Sequence, residues 1–176
     1  MTRQIQLALA TTRPRRAVPG QGVLDPSVSR MRVHPGDLDL YLHVNNGVYL
    51  QMMDIARSNY LADLGAVGLL RERGWYPVVA ASTMTYRRSL RLGDRFEITS
   101  RVVGWDERVV YLEQVFTRGS ESVARGLVAG RFLSRGGGRI PAPEVVGLLG
   151  GSPESPDVPA DVAAWARAVD VAHRTG

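Results

Sequence analysis

Apolar positions along the chain fall into two regimes. From residue 46 to 64 they sit at Val48, Tyr49, Met52, Met53, Ile55, Ala56, Tyr60, Leu61 and Leu64. That spacing predicts one helix with apolar groups around most of its circumference, and such a helix is buried on most sides. Asn45 or Asn46 can cap its start and Gly65 can end it. Residues 66–74 read as a short helix or loop closing at Gly74. After Pro77 the period changes to two. Segments 78–90, 95–104, 108–118 and 122–134 read as four strands. The separators 92–94, 105–107 and 118–121 have the composition of hairpin turns. Phe96, Ile98, Ser100 and Val102 share one strand face, and Val110, Leu112, Gln114 and Phe116 share another. Ala124, Gly126, Val128 and Gly130 form a stripe of small residues that lets a helix approach closely.

The flanks are less regular. Residues 29–36 alternate and stop at Pro35-Gly36, a short strand and a turn. Residues 1–28 read as a flexible or strand-adding arm, because Pro14, Pro19, Gly20 and Gly22 interrupt any amphipathic helix. An arginine-rich transit peptide is the competing expectation for that arm. Residues 135–160 are rich in Gly, Pro and Ser and read as a linker, and 160–173 as a terminal helix. The order is therefore strand, buried helix and antiparallel meander. This is an α+β chain whose sheet wraps around one long central helix. One sheet cannot enclose such a helix, which points to a homodimer or a dimer of dimers.

Composition narrows the chemistry. The 176 residues suit one domain with modest tails. Cysteine is absent, which removes disulfides, thiolate metal sites and a cysteine nucleophile. It fits a reducing, cytoplasmic compartment. Three histidines (His34, His43 and His173) are too few for a histidine-rich metal site, so no metal is expected. No apolar run is long enough to span a bilayer. The net charge is +5 and every basic residue is arginine. That balance favours an anionic ligand such as a phosphorylated cofactor. The arginines are too dispersed to resemble a nucleic-acid motif.

The chemistry-bearing residues concentrate between the first strand and the long helix, in Asp37-Leu38-Asp39-Leu40-Tyr41-Leu42-His43-Val44-Asn45-Asn46-Gly47-Val48-Tyr49. A helix N-terminus offers unpaired N–H groups and the positive end of a dipole, which stabilise an oxyanion. A carboxylate beside it can act as nucleophile or general base. His43 can donate a hydrogen bond or relay a proton. Each residue alone also has a plain structural reading: turn aspartates, capping asparagines, a core histidine. Two further groups qualify. Asp54 is set to pair with Arg57 one turn on. Arg87 and Arg88 fall on opposite faces if their segment is a strand, so at most one of them, with Arg91, meets the same ligand.

The motif Asp-Leu-Asp-x-x-x-His-Val-Asn-Asn-x-x-Tyr resembles the start of hotdog thioesterases of the 4-hydroxybenzoyl-CoA thioesterase type. Ala80-Ala81-Ser82, Arg87 to Leu92, Gly104 to Arg108 and Tyr111-Leu112-Glu113 resemble thioesterase superfamily member six and its bacterial relatives. The resemblance covers about residues 30–134 and implies the hotdog fold. It also implies hydrolysis of an acyl-CoA to a free acid and coenzyme A, with no cofactor beyond the coenzyme A of the substrate. It points to Asp39 as the catalytic carboxylate and to the backbone at Asn46 or Gly47 as the oxyanion hole. A likeness to plant acyl-carrier thioesterases sets His43 beside Asp39, with Tyr41 standing where those enzymes carry a catalytic Asn. Asn45, Tyr49, Arg87, Arg88 and Arg91 are the candidate substrate contacts, and Met52, Met53 and Met84 the candidate acyl pocket. Hotdog hydratases are disfavoured, since they use a different Asp–His spacing within an Asn-Pro motif. A non-catalytic acyl-CoA binding module is the alternative outside enzymes.

Overall fold

The computed structural model describes residues 2–172 of the chain. The two long-range organisers are the helix and the sheet read from the pattern. Helix α2 runs Asn46–Asp63, capped by Asn45, and the backbone turns out of it at Gly65 in the left-handed conformation that glycine adopts without a Cβ penalty. Among the described residues, six strands form one antiparallel sheet: β1 (Ser27–Arg32), β2 (Trp75–Tyr86), β3 (Arg95–Trp105), β4 (Val110–Arg118), β5 (Glu121–Ser134) and the short β6 (Arg139–Ile140). The spatial order is β1-β3-β4-β5-β2, with β6 against β5. Helix α3 (Ala66–Glu72) follows α2, as expected.

The inner face of the sheet carries Phe96, Ile98, Val102, Leu112 and Phe116, which bury against Met52, Met53 and Ala56 of α2. Register puts Ile98 opposite Phe116 and Ser100 opposite Gln114. Burying polar Gln114 requires partners. Its amide donates to the Met53 carbonyl at 3.1 Å and to Ser100 Oγ at 2.9 Å, and its oxygen accepts from Arg57 at 2.8 Å. Gly126 lies directly beneath the Met53 side chain of α2. A Cβ there would collide with Met53 Sδ at 2.7 Å and Met84 Sδ at 2.8 Å. The absence of a side chain at Gly126 thus makes room for Met53 of α2 and Met84 of β2.

Several expectations need correction. The separator at 92–94 is not a hairpin turn. β2 pairs with β5 at the far edge of the sheet while β3 pairs with β1 and β4, so residues 87–94 cross between them. The first 28 residues are not an irregular arm. Helix α1 (Arg3–Thr12) precedes every proline of that stretch, Thr2 accepts a hydrogen bond from Ile5 N–H at its start, and it lies along α2. The prolines shape only the residues after this helix. Residues 135–160 are not merely a linker. They contain β6 and helix α4 (Ala142–Leu148), whose Val145 and Val146 join the core. Most of the stretch's glycines and prolines lie outside these short elements, while Pro143 sits in the first turn of α4 and Gly147 in its last. The terminal helix α5 spans Ala160–Ala168, and residue 173 lies outside the described residues. α5 covers the outer face of the sheet, where Val162 and Ala166 pack with Val109, Tyr111 and Leu127. Among the described residues no helix is long and apolar enough to cross a membrane.

Candidate active site

Residues 37–45 form a miniature hairpin that feeds α2. Leu38 bridges Val44, the Asp39 N–H donates to the His43 carbonyl at 2.8 Å, and the Asn45 N–H donates to the Asp37 carbonyl at 2.8 Å. The Val44 N–H donates to the Leu90 carbonyl at 3.0 Å, tying the hairpin to the crossing segment. At its tip Leu40, Tyr41 and Leu42 are 98%, 82% and 70% exposed, and Leu42 takes φ +60. A branched apolar residue in that region is strained by about 1 kcal/mol or more.

Asp39 closes the tip as an Asx turn. Its Oδ1 accepts from the Tyr41 N–H at 2.9 Å and the His43 N–H at 3.3 Å. Among the described residues its Oδ2 has no partner. Oδ1 thus serves the turn, and Oδ2 is the oxygen left for other contacts. Tyr41 offers only its backbone here, and its ring is in solvent.

At the helix start the Asn45 side chain accepts from the Gly47 N–H at 2.8 Å. This cap consumes one of the two backbone donors expected for the oxyanion. The Asn46 N–H has no acceptor among the described residues. Gly47 is thus corrected from donor to capped position, because a satisfied N-cap bond competes with any ligand.

Asp39, His43, Asn46, Tyr49, Tyr86, Arg87 and Arg88 line one open groove of about 410 Å³. Asn45, Gly47 and Arg91 do not line it. Arg91 meets His43 only through a backbone bridge, and its N–H donates to Asp94 Oδ2 at 2.9 Å. Strand alternation does not separate Arg87 from Arg88, since β2 ends at Tyr86 and both follow it on irregular backbone. Their N–H groups share the Val123 carbonyl at 2.9 and 3.1 Å. Arg88 pairs with Glu121 at 3.1 Å, while Arg87 makes no ion pair among the described residues. Tyr49 packs edge-on against Tyr86, ring centroids 5.1 Å apart. Burial pushes its phenol above the ordinary pKa, opposed by the Leu90 backbone amide, so it stays a neutral donor. The Tyr86 hydroxyl donates to the Asn46 carbonyl at 3.3 Å. Sequence reasoning missed Tyr86, which lies outside the quoted motifs, and did not single out Ser89, which lies within Arg87 to Leu92.

A second cavity, of about 270 Å³, lies under the C-terminal half of α2. Its walls are almost wholly apolar, including Leu61, Val78, Val128, Phe132 and Val146, with Leu7 of α1. Met52, Met53 and Met84 do not line it. Met52 and Met53 are sealed in the core, which corrects their expected role in an acyl pocket. Asp54 and Arg57 form its polar corner and are ion-paired as expected. Burial draws Arg57 below its ordinary pKa while Asp54 opposes it.

A curled antiparallel sheet around one long helix, with the polar constellation at that helix's N-terminus, defines a hotdog-fold protein of the thioesterase class. The model of the thioesterase-like superfamily matches residues 33–166, and the chain belongs to that family. Protein THEM6 of Xenopus laevis is 35% identical over 135 residues, covering 76% of this chain and 63% of that protein. Protein THEM6 of Danio rerio is 33% identical over 161 residues, covering 85% and 73%. The chain therefore spans less than two thirds of the length of the first of these relatives. Among solved structures, the probable thioesterase YbaW of Escherichia coli superposes with a TM-score of 0.64 at 24% identity, covering 69% of this chain and 97% of that one. That likeness carries the fold.

Proposed function

We propose that this protein hydrolyses an acyl-coenzyme A thioester to a free carboxylic acid and coenzyme A. One observation carries the reading. The free Oδ2 of Asp39 and the free N–H of Asn46 belong to the same groove, a base or nucleophile beside an oxyanion donor.

In this reaction the thioester carbonyl oxygen accepts from the Asn46 N–H. Asp39 removes a proton from water as it adds to the carbonyl carbon, or adds itself as nucleophile and is freed by water. The tetrahedral centre then collapses, the C–S bond breaks, and the thiolate takes up a proton. His43 orients the water or the departing sulfur. Arg87, with no ion-pair partner among the described residues, takes a phosphate of coenzyme A, and Arg88, already paired with Glu121, is the lesser phosphate contact. The apolar cavity under α2 suits an aliphatic acyl chain. Its volume lies just below the range of about 300–1,000 Å³ typical of small-molecule pockets. The exposed edge of β2 and the incompletely covered α2 support a homodimer. No cofactor or metal enters the scheme.

One observation favours a second reading, a binding protein without turnover. Asn45 occupies the Gly47 N–H, leaving a single oxyanion donor. Hydrolysis of a panel of acyl-CoAs from acetyl to palmitoyl, followed by release of free thiol, separates the two. Hydrolase activity predicts turnover of at least one chain length. Saturable binding across the panel with no thiol released would overturn the enzyme and support the binding module.

A further inference from the structure

We propose that Arg3 of α1 is a positioning residue for the Asp39 site, which makes the N-terminal segment a working part of that site. The inference rests on the thioesterase reading, in which Asp39 does the chemistry. It starts from a pair 34 residues apart in sequence.

The Arg3 guanidinium grips Asp37 with both arms, Nε to Oδ1 at 2.9 Å and Nη2 to Oδ2 at 2.7 Å. Arg3 is 4% exposed and Asp37 3% exposed. The fork is fully engaged: Nη2 also donates to the Arg32 carbonyl at 2.7 Å, and Nη1 to Gln6 Oε1 at 2.6 Å. The carboxylate is fixed from the other side too, since Asp37 Oδ2 accepts from the His34 N–H at 2.7 Å. A bidentate, buried, charge-assisted pair of this kind fixes orientation more tightly than a surface ion pair.

Asp37 is the base of the hairpin that holds Asp39. Its carbonyl accepts from the Asn45 N–H, and Asn45 caps α2. So one residue anchored by Arg3 joins both halves of the candidate site, the Asp39 turn and the helix N-terminus that carries the Asn46 N–H. The hairpin needs such an anchor. Its tip is exposed and strained at Leu42, so the tip is not held by packing. The segment carrying Arg3 is itself pinned at the other end of α2, where Arg15 pairs with buried Asp63 and the Val18 N–H donates to the Asp63 carbonyl at 2.8 Å. Residues 3–18 thus run as a strap along α2. A merely stabilising pair would lie anywhere in the core; this one sits two residues from the catalytic carboxylate.

The test uses the full chain with Arg3→Ala and Arg3→Lys, well below the unfolding temperature, and two readouts. In Arg3→Ala, amide hydrogen exchange at Asp39, His43 and Asn45 accelerates about tenfold or more while β4 amides keep their protection. With the best substrate, kcat falls about tenfold or more and KM stays within about twofold. Arg3→Lys recovers only part of both, because an ammonium cannot replace the fork. If Arg3→Ala does not fold, the double variant Arg3→Met, Asp37→Leu removes both charges, and the same loosening of His43 and Asn45 is expected in it. Wild-type exchange at these amides, in either variant that folds, overturns the inference, as does loosened exchange with wild-type kcat. If the wild type cleaves no thioester, the proposed function fails on its own, and the exchange measurement still decides whether Arg3 holds the hairpin.

Discussion

The two ends of α2 are built on different physics. At its N-terminus the chain uses hydrogen bonds and one buried ion pair to hold an exposed hairpin, and among the described residues Asp39 Oδ2 and the Asn46 N–H have no partner. Toward its C-terminus the helix is set in apolar packing around a partly open apolar cavity, and its charged groups are paired off as Asp54–Arg57 and Asp63–Arg15. Polar groups without partners are costly in a fold and useful in a site, whereas apolar space beside a helix is useful only to an apolar ligand. On the proposed function, reaction and chain binding are separate jobs at separate ends.

Substitutions at each end can break that division. The largest stability effect belongs to the packed region. Gly126→Val drives a side chain into Met53 and Met84, and urea unfolding should show a loss of about 1 to 3 kcal/mol. Next is Val128→Phe, which fills the apolar cavity. Relative to a short acyl-CoA, kcat/KM for a long-chain one should fall about tenfold, and equal loss for both would detach the cavity from the acyl chain. The smallest effect belongs to the hairpin tip. Tyr41→Ala removes a ring that lies in solvent, so stability should change by less than about 0.5 kcal/mol and kcat by less than about twofold. A large loss there would mean that the tip is covered in the working assembly.

The sequence made the second region far more legible than the first. Periodicity located α2 and the long strands within a few residues because burial imposes it directly, residue by residue. The Asp54–Arg57 pair was readable because helix geometry fixes neighbours three apart. Three other features depend on contacts that no local pattern encodes. Arg3 finds Asp37 across 34 residues. β2 moves to the far edge of the sheet, so 92–94 crosses instead of turning back. Helix α4 hides in a Gly- and Pro-rich stretch and itself contains Pro143 and Gly147, so only the packing of Val145 and Val146 in the core marks it. The Asn45 cap, by contrast, was legible as a local pattern, and with it the occupation of the Gly47 N–H. The methionines were the weakest expectation, since a methionine at helical spacing reads the same whether it lines a cavity or fills the core.

The most direct test of the division compares two carboxylates on opposite sides of it. Steady-state hydrolysis of one acyl-CoA should be measured for Asp39→Asn and Asp54→Asn at a temperature where both are folded. The account predicts that kcat falls about a hundredfold or more in Asp39→Asn, and changes less than about threefold in Asp54→Asn. A near-normal kcat in Asp39→Asn, or the reverse ranking of the two, would contradict it and move the chemistry onto the helix.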